Sequence, residues 1–212
     1  MKTVALLSGG IDSTVMLWKL KHEGHEIIPL TFLTYRRNTR EVEAVKGIAS
    51  SATNKELRII DVSFLREVVD FPQSLKDKLS SETPTVLIPF RNIIFYSAAA
   101  HIALYENAEN VAGGHTVEDL RIPDVGNQFV EELEKLLKMS APFSRVKVLT
   151  PLIGMNKKEV IKLGSSLNAP LTATWSCWGV LDKHCGRCPG CVARRAGFAA
   201  AGLVDETEYA ET

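Results

Sequence analysis

The 212-residue sequence lacks several features that mark large classes of proteins. Lysine plus arginine and aspartate plus glutamate number 25 each, so no excess of positive charge points to broad nucleic-acid binding. No apolar run is long enough to cross a bilayer, and the few apolar residues before Ser8 are too few for a signal-peptide core. We therefore expect a cytoplasmic protein with no membrane partner, for which direct binding to nucleic acid is not expected.

Cysteine is scarce and confined to one place. The sequence contains four cysteines at the spacing C-x7-C-x2-C-x2-C, which are Cys177, Cys185, Cys188 and Cys191. Disulfides are unusual in a reducing compartment, whereas four thiolates suit a tetrahedral metal site. Zinc is the expected ion, although an iron–sulfur cluster also takes four thiolates and the spacing leaves it open. Because four thiolates leave zinc no open position, we predict a structural zinc site, with His184 as a spare candidate ligand.

Two common phosphate-binding motifs are also missing, namely G-x-x-x-x-G-K-[ST] and G-x-G-x-x-G. In their place the sequence has S-G-G-x-D-S over residues 8–13, directly after a short apolar run. Paired glycines permit close backbone approach, and a following helix would present free N–H groups and the positive end of its dipole. This combination predicts an anion cradle for phosphate. The alternative is a plain glycine turn in which Asp12 or Ser13 only caps the helix.

Apolar runs and helical periodicities alternate along the whole chain. Strands are predicted over residues 2–7, 27–33, 56–62, 110–112 and 146–149. Helices are predicted over residues 12–22, 39–51, 63–81 with a break at Pro72, 91–107, 128–139, 156–167 and 192–201, and loops over 83–89 and 115–126. This alternation predicts an α/β fold with a doubly wound, mostly parallel sheet, whose ligand lies beyond the carboxyl ends of the strands. We predict a nucleotide-binding domain over residues 1–170 and a cysteine-bearing lobe over 171–212, packed on the same domain.

The S-G-G-x-D-S motif resembles that of the PP-loop ATP pyrophosphatases, which split ATP between its α and β phosphates and adenylate a substrate. Three further stretches are similar to the 7-cyano-7-deazaguanine synthase family: "IPFRNIIFYS", "TPLIGMNKKEVIKLG" and "TWSCW…HCGRCPGCVARRAGFAAAG". The resemblance implies a HUP-like fold and an enzyme that uses ATP with Mg²⁺. It also implies conversion of 7-carboxy-7-deazaguanine and ammonia, through an acyl-adenylate and an amide, into the nitrile preQ0, a precursor of modified tRNA bases.

The resemblance also implies roles for individual residues. The expected ATP-binding residues are Leu7, Ser8, Gly9, Gly10, Ile11, Asp12, Ser13 and Thr14. Asp12 would hold Mg²⁺, and Lys157 and Arg91 would face the charge that develops on the phosphates. The expected substrate-binding residues are Arg37, Asn92, His115, Asp124 and Trp175.

Each role has a plainer alternative. Lys157 would be a solvated lysine, Arg91 a structural ion-pair partner, and Trp175 packing around the cysteines. For Arg187, Arg194 and Arg195 a solvated helix face is the expected role.

The stretches at the expected substrate end depart from the family pattern. In "FLTYRRN" the usual aspartate is replaced by Leu33, although Arg37 matches. After the second glycine pair, His115 replaces the usual asparagine and Gly126 replaces the usual arginine. A PP-loop enzyme that adenylates another small carboxylic acid therefore stays open, as does a tRNA-modifying PP-loop enzyme or a nucleotide-binding protein without catalysis. A homodimer is left open as well.

Overall fold

The computed structural model describes residues 1–79, 87–179 and 182–210, and this part of the chain forms a five-stranded parallel sheet. The strands are β1 (Lys2–Leu6), β2 (Glu26–Leu33), β3 (Arg58–Asp61), β4 (Asn110–Ala112) and β5 (Lys147–Leu149). All neighbouring strands pair in parallel, in the order β3-β2-β1-β4-β5. The predicted strands and their parallel pairing are confirmed.

Helices cover both faces of the sheet, as the doubly wound prediction requires. They are α1 (Ile11–His22), α2 (Thr39–Ala52), α3 (Gln73–Lys76), α4 (Arg91–Tyr105), α5 (Asn127–Ser140), α6 (Lys157–Ser166) and α7 (Pro189–Ala201). One apolar cluster joins α1, α2, α6 and α7 through residues such as Val15, Ile48 and Phe198. The other joins α4 and α5 through Tyr96 and Leu133. The α7 helix thus shares a core with α1, whereas the division at residue 170 stays a prediction.

The strand order reverses at β1, because β2 and β3 lie on one side of it and β4 and β5 on the other. In open α/β sheets, ligands bind in the crevice that such a reversal creates at the carboxyl edge. The segments that follow β1, β2 and β4 all leave the sheet at this edge. The fold therefore brings the S-G-G-x-D-S motif together with residues 34–41 and 113–119.

The predicted helix over residues 63–81 is wrong for its described part, residues 63–79. This part contains a 3₁₀ turn at Val68–Asp70 and the short helix α3. Pro72, which has no N–H group, stands just before α3, and the Val68 N–H donates to the Leu87 carbonyl at 2.9 Å. Backbone pairing with a distant residue therefore replaces the local helical bonds. The predicted loop at 83–89 lies mostly outside the described residues.

Arg194 does not lie on a solvated helix face, so that prediction is wrong for this residue. Its side chain is 1% exposed and donates to Thr174 Oγ1 at 2.6 Å and to the Leu171 carbonyl at 2.8 Å. Its Nε lies 3.2 Å from Asp205 Oδ1. The buried guanidinium therefore ties α7 to the segment before the cysteines and to the segment after α7. Burial of Cys191, Arg194 and Phe198 on one side of α7 follows the helical period.

Replacing this arginine should destabilise the fold strongly. We expect Arg194→Met to lower the free energy of unfolding by about 3–5 kcal/mol, because it leaves a carboxylate and carbonyl groups without their buried partner. Urea unfolding would measure the change. Arg195→Met is the matched control, since the next residue of the same helix is exposed and its replacement should change stability by about 0.5 kcal/mol or less. Equal losses in both variants would contradict the role of Arg194.

Candidate active site and cysteine cluster

The loop between β1 and α1 forms a cradle of backbone and hydroxyl groups. Gly10 occupies the N-cap position of α1, and no side chain caps the helix, so the alternative that Asp12 or Ser13 serves only as a cap is wrong. The Ser8 N–H donates to Ser13 Oγ at 3.2 Å, and the two serine hydroxyls lie 3.0 Å apart. Thr14 Oγ1 donates to the Gly10 carbonyl at 2.8 Å. Hydroxyl groups and a helix N-terminus thus meet in one place, which suits an anion.

Two close backbone approaches explain why glycines stand here. Gly9 has φ +89°, and a Cβ on it would lie 2.7 Å from the Glu41 carbonyl oxygen. A Cβ on Gly114, just after β4, would lie 2.9 Å from the Ser13 backbone nitrogen. Glycine is needed at both positions, because a side chain would push α2 or the loop after β4 away from the cradle.

Arg37 joins the ends of β1 and β2. Its guanidinium donates to the Ser8 carbonyl at 2.7 Å and to Thr31 Oγ1 at 2.6 Å, and it also donates to the Phe32 carbonyl. Its Nε lies 3.5 Å from a Glu41 carboxylate oxygen. The side chain is 8% exposed, and burial lowers the pKa of Arg37. Arg37 also lines a cavity at this edge of the sheet. Because its guanidinium donors already bind protein oxygens, its predicted contact with substrate stays a prediction.

Asp12 and Lys157 form an ion pair across the cradle. Lys157 Nζ lies 2.5 Å from both carboxylate oxygens of Asp12, although the residues are 145 positions apart. Burial raises the pKa of Asp12, and the Lys157 charge opposes that rise. Lys157 is the first residue of α6, and its N–H donates to Glu118 Oε1 at 2.8 Å. The lysine is therefore held in place and is not a freely solvated side chain.

A cavity of about 330 Å³ opens at the carboxyl edge beside this pair. Its polar side is lined by Ser8, Asp12, Ser13, Thr34, Arg37, Glu41, Arg91, Asn92, His115 and Asp119. Its apolar side includes Leu6, Phe32, Ile88 and Phe95. The rings of Phe32 and Phe95 stack with centroids 4.0 Å apart and an angle of 7° between planes. Burial lowers the pKa of His115, so its imidazole is neutral near pH 7. The cavity lining thus includes both charged groups and apolar side chains.

Asp124 and Trp175 do not line this cavity among the described residues. Asp124 Oδ2 accepts from the Asn92 N–H at 2.7 Å, and Oδ1 accepts from Asn92 Nδ2 at 3.1 Å, so Asp124 fixes the first turn of α4. The Trp175 N–H donates to the Gly9 carbonyl at 2.8 Å, and its indole N–H donates to the Cys177 carbonyl at 2.8 Å. Its ring packs on the His184 ring, with the ring centroids 4.2 Å apart. Trp175 therefore connects the loop between β1 and α1 to the cysteines.

Several residues at the site were not identified from the sequence. Glu118 accepts from the Lys157 N–H and from Thr116 Oγ1 at 2.9 Å, while Asp119 and Phe95 line the cavity. Glu118 and Asp119 could have been identified from their position in the loop that follows β4 at the carboxyl edge. No local signal distinguishes Phe95 from the other apolar residues of its helix.

The four cysteines come together as predicted. Their sulfur atoms all lie within 4.8 Å of one another, with 3.9 Å between Cys177 and Cys188 and 4.0 Å between Cys185 and Cys191. Four thiolates at about 2.3 Å from one zinc ion would stand about 3.8 Å apart, so the donor set fits such an ion. Backbone N–H groups of Arg187 and Cys188 lower the pKa of Cys185 to about 6, whereas burial raises the pKa values of Cys177 and Cys191. The cluster can therefore hold a metal.

The contacts around the four cysteines show which neighbouring groups lie outside the cluster. Cys188 is also the N-cap of α7, and its sulfur accepts from the Cys191 N–H. His184 lies outside the four-sulfur group, because its Nε2 accepts from the Ser176 N–H at 3.1 Å. The spare ligand suggested by the sequence is thus engaged elsewhere. Among the described residues, no helix has the length and apolar character needed to span a membrane.

Comparison with known proteins identifies the family. The family model described as queuosine biosynthesis protein QueC matches residues 2–202. The chain belongs to the QueC family. The 7-cyano-7-deazaguanine synthase of a Nitratiruptor species is 35% identical over 221 residues and is covered completely, as is this chain. The synthase of Acetivibrio thermocellus is 36% identical, with 99% of this chain and 98% of the relative covered.

Solved structures add the fold to this result. One described as a predicted subunit of tRNA methyltransferase from Methanocaldococcus jannaschii aligns with a TM-score of 0.53 at 19% identity. The alignment covers 78% of this chain and 76% of the other. At this identity the likeness concerns the fold alone. It agrees with the parallel sheet and the helices on both of its faces.

Gly126 and His115, whose identities differ from those expected from the resemblance, both lie between β4 and α5. Gly126 has φ +103° and stands at the N-cap of α5. This conformation favours glycine, so the arginine expected there from the resemblance would be strained in the same turn. His115, the other exchanged residue of this loop, lies on the cavity wall.

Proposed function

We propose that this QueC-family chain is an ATP-dependent ligase that converts 7-carboxy-7-deazaguanine and ammonia into 7-cyano-7-deazaguanine. The observation that carries the proposal is the S-G-G-x-D-S cradle with its Asp12–Lys157 pair, which opens into the cavity at the carboxyl edge. The names of the relatives support the choice of substrate. The product would serve the synthesis of a modified tRNA base.

The polar side of the cavity is where the nucleotide phosphates would bind. The hydroxyls of Ser8 and Ser13 and the N–H groups at the start of α1 would hold the pyrophosphate, and Asp12 would hold Mg²⁺. Mg²⁺, when bound, neutralises charge on the phosphates. Lys157 would neutralise Asp12 before the nucleotide binds and would face the phosphates afterwards. Arg91, at the start of α4, adds a second cation to the cavity lining.

The reaction needs no nucleophile from the protein. A carboxylate oxygen of the substrate attacks the α-phosphorus of ATP and pyrophosphate leaves. Ammonia then attacks the acyl-adenylate, AMP leaves and an amide results. A second adenylation on the amide oxygen, followed by loss of AMP, gives the nitrile. The chain supplies position and charge, which can lower a barrier by several kcal/mol when reacting groups are held about 3 Å apart.

The apolar side of the cavity suits the flat deazapurine ring. The stacked rings of Phe32 and Phe95 offer a planar apolar wall, and Asn92 and His115 offer hydrogen bonds at its edge. Because burial keeps His115 neutral, it would serve as a hydrogen-bond partner and not as a charge. Asp124 would act on the ring through Asn92, which it holds.

The four cysteines would hold one structural zinc ion. The fit of their sulfur positions to a tetrahedral thiolate set supports this proposal. The N–H of Trp175 links the segment before the cluster to Gly9 in the cradle. The zinc lobe would therefore serve as a rigid wall behind the phosphate site and take no part in the chemistry.

The role of Asp124 leads to a prediction on substrate affinity. We expect Asp124→Ala to raise the KM for 7-carboxy-7-deazaguanine by about tenfold, because Asn92 loses the two bonds that position it and its hydrogen bond to the ring would contribute about 1–1.5 kcal/mol. The KM for ATP should change by less than about threefold, because the cradle lies elsewhere. Steady-state pyrophosphate release would measure both constants, with the exposed Asp61→Ala as control. An equal rise in both KM values would contradict the assignment.

The proposed function itself is tested by supplying the substrates. The purified protein is incubated with ATP, Mg²⁺, ammonium and 7-carboxy-7-deazaguanine, while AMP, pyrophosphate and the nitrile are followed by liquid chromatography and mass spectrometry. We expect two AMP for each nitrile formed. Turnover of a different carboxylic acid alone would overturn the substrate and keep the adenylation. AMP formed only with added tRNA, or nucleotide bound without cleavage, would overturn the proposal.

A further inference from the structure

The helix that carries Lys157 is packed between two other helices, and a glycine marks each contact. A Cβ on Gly164 of α6 would lie 2.6 Å from Val15 Cγ2 of α1. A Cβ on Gly197 of α7 would lie 2.6 Å from Lys157 Cγ and 2.8 Å from Ile161 Cδ1 of α6. Carbon atoms in contact normally lie about 3.5–4.0 Å apart, so neither position has room for a methyl group.

We propose that Gly197 is a positioning residue, whose missing side chain lets the Lys157 stem run along α7 and reach Asp12. The atom in the way of a Cβ is the γ carbon of Lys157, three bonds before the amino group. A displacement there moves Nζ away from the two Asp12 oxygens, each 2.5 Å distant. The inference rests on the proposed function, since it assigns Lys157 to the phosphates of ATP.

The helices cannot relieve the contact by moving apart. The middle of α7 is held by the hydrogen bonds of buried Arg194, and Phe198 is buried in the shared core. On the other side, α6 is held by Val160 and Ile161, which are fully buried. Since both backbones are held, an added methyl group acts on the side chains between them.

The backbone of Lys157 is fixed as well. Its N–H donates to Glu118 Oε1 at 2.8 Å, and Glu118 is held in turn by Thr116 Oγ1 at 2.9 Å. Val160 and Ile161, in the same turn of α6, are fully buried. Because the Cα of Lys157 cannot move with the displaced Cγ, the side chain must change rotamer. The ammonium group then leaves its place beside Asp12.

The test is the substitution Gly197→Ala, assayed by steady-state pyrophosphate release. We expect kcat to fall by about ten- to a hundredfold, since misplacement of a reacting group by about 1 Å can cost that much, while the KM for ATP changes by less than about threefold.

Two matched glycine variants separate this effect from a loss of packing. Gly47→Ala in α2 adds a methyl group with no atom within 4 Å and should leave both kcat and the unfolding temperature at or above the parent values. Gly164→Ala creates the same crowding against Val15 and Leu171, so it should lower the unfolding temperature while kcat at 25 °C stays within about threefold.

The double variant Gly197→Ala/Ile161→Val removes the contact with Ile161 Cδ1 and keeps the one with Lys157. We expect the double variant to unfold at the parent temperature while its kcat stays low. If the single variant does not fold, the double variant can be assayed in its place. Recovery of kcat in the double variant, or a single variant with the parent kcat, would overturn the inference. If the parent protein releases no pyrophosphate, only the proposed function is contradicted. An NMR titration of the labelled Lys157 amine then still reports whether Gly197→Ala moves that group.

Discussion

Asp12→Asn should lower the rate of pyrophosphate release by about a thousandfold and leave the fold intact. Asparagine keeps the size of the side chain but has no charge with which to hold Mg²⁺ beside the phosphates. Loss of one fixed charge-stabilising group at a reacting centre costs about 10²–10³ in rate, and here the same change also weakens the metal. The effect should therefore fall mainly on kcat.

The unfolding temperature of Asp12→Asn, unlike its rate, should not fall. Burial raises the pKa of Asp12, so the ionised carboxylate costs the folded chain stability above that pKa. Removing the charge should leave the unfolding temperature equal to or above that of the parent near pH 7. Thermal unfolding and pyrophosphate release in a Mg²⁺ titration would measure the two quantities, with Asp61→Asn on the exposed end of β3 as control. Unchanged release would show that Asp12 does not hold the metal.

Removal of the metal should unfold the region around the cysteines. Structural zinc contributes about 10–16 kcal/mol of apparent binding free energy at pH 7 in small zinc-binding peptides, and this energy is folding energy. The four sulfur atoms lie at the start of α7 and in the segment before it, so we expect a chelator to remove amide protection there. Activity should fall in parallel, because α7 packs on Lys157.

Metal analysis and hydrogen exchange would test this result. We expect about one zinc per chain, loss of protection over residues 171–210 after chelation, and unchanged protection in β1 and β2. Added zinc should restore the protection. Cys191→Ala, at a fully buried cysteine, should reproduce the effect without a chelator. A chain that contains no metal yet keeps full protection would contradict the prediction, whereas iron with a coloured cluster would replace zinc at the same four thiolates.

The sequence predicted well those features that depend on short stretches of chain. All five strands begin and end within two residues of the predicted limits, because apolar runs bounded by turns are a local signal. The cradle at 8–14 and the four-cysteine group were likewise visible, since each lies within a few turns of chain. The predicted helix at 63–81 failed because backbone pairing between Val68 and Leu87, invisible in a local pattern, competes with helical bonds.

The sequence by itself thus determined the parallel α/β fold, the glycine-rich turn before α1 and the four-cysteine cluster of this QueC-family chain. Only the tertiary structure decided that Lys157 pairs with Asp12, that Arg194 is buried and that Asp124 lies outside the cavity wall, where it holds Asn92. The reason is physical: burial and partner choice depend on groups that packing brings together from distant parts of the chain. A charged residue has the same local pattern whether it faces water or a carbonyl 23 residues away, as Arg194 does at Leu171.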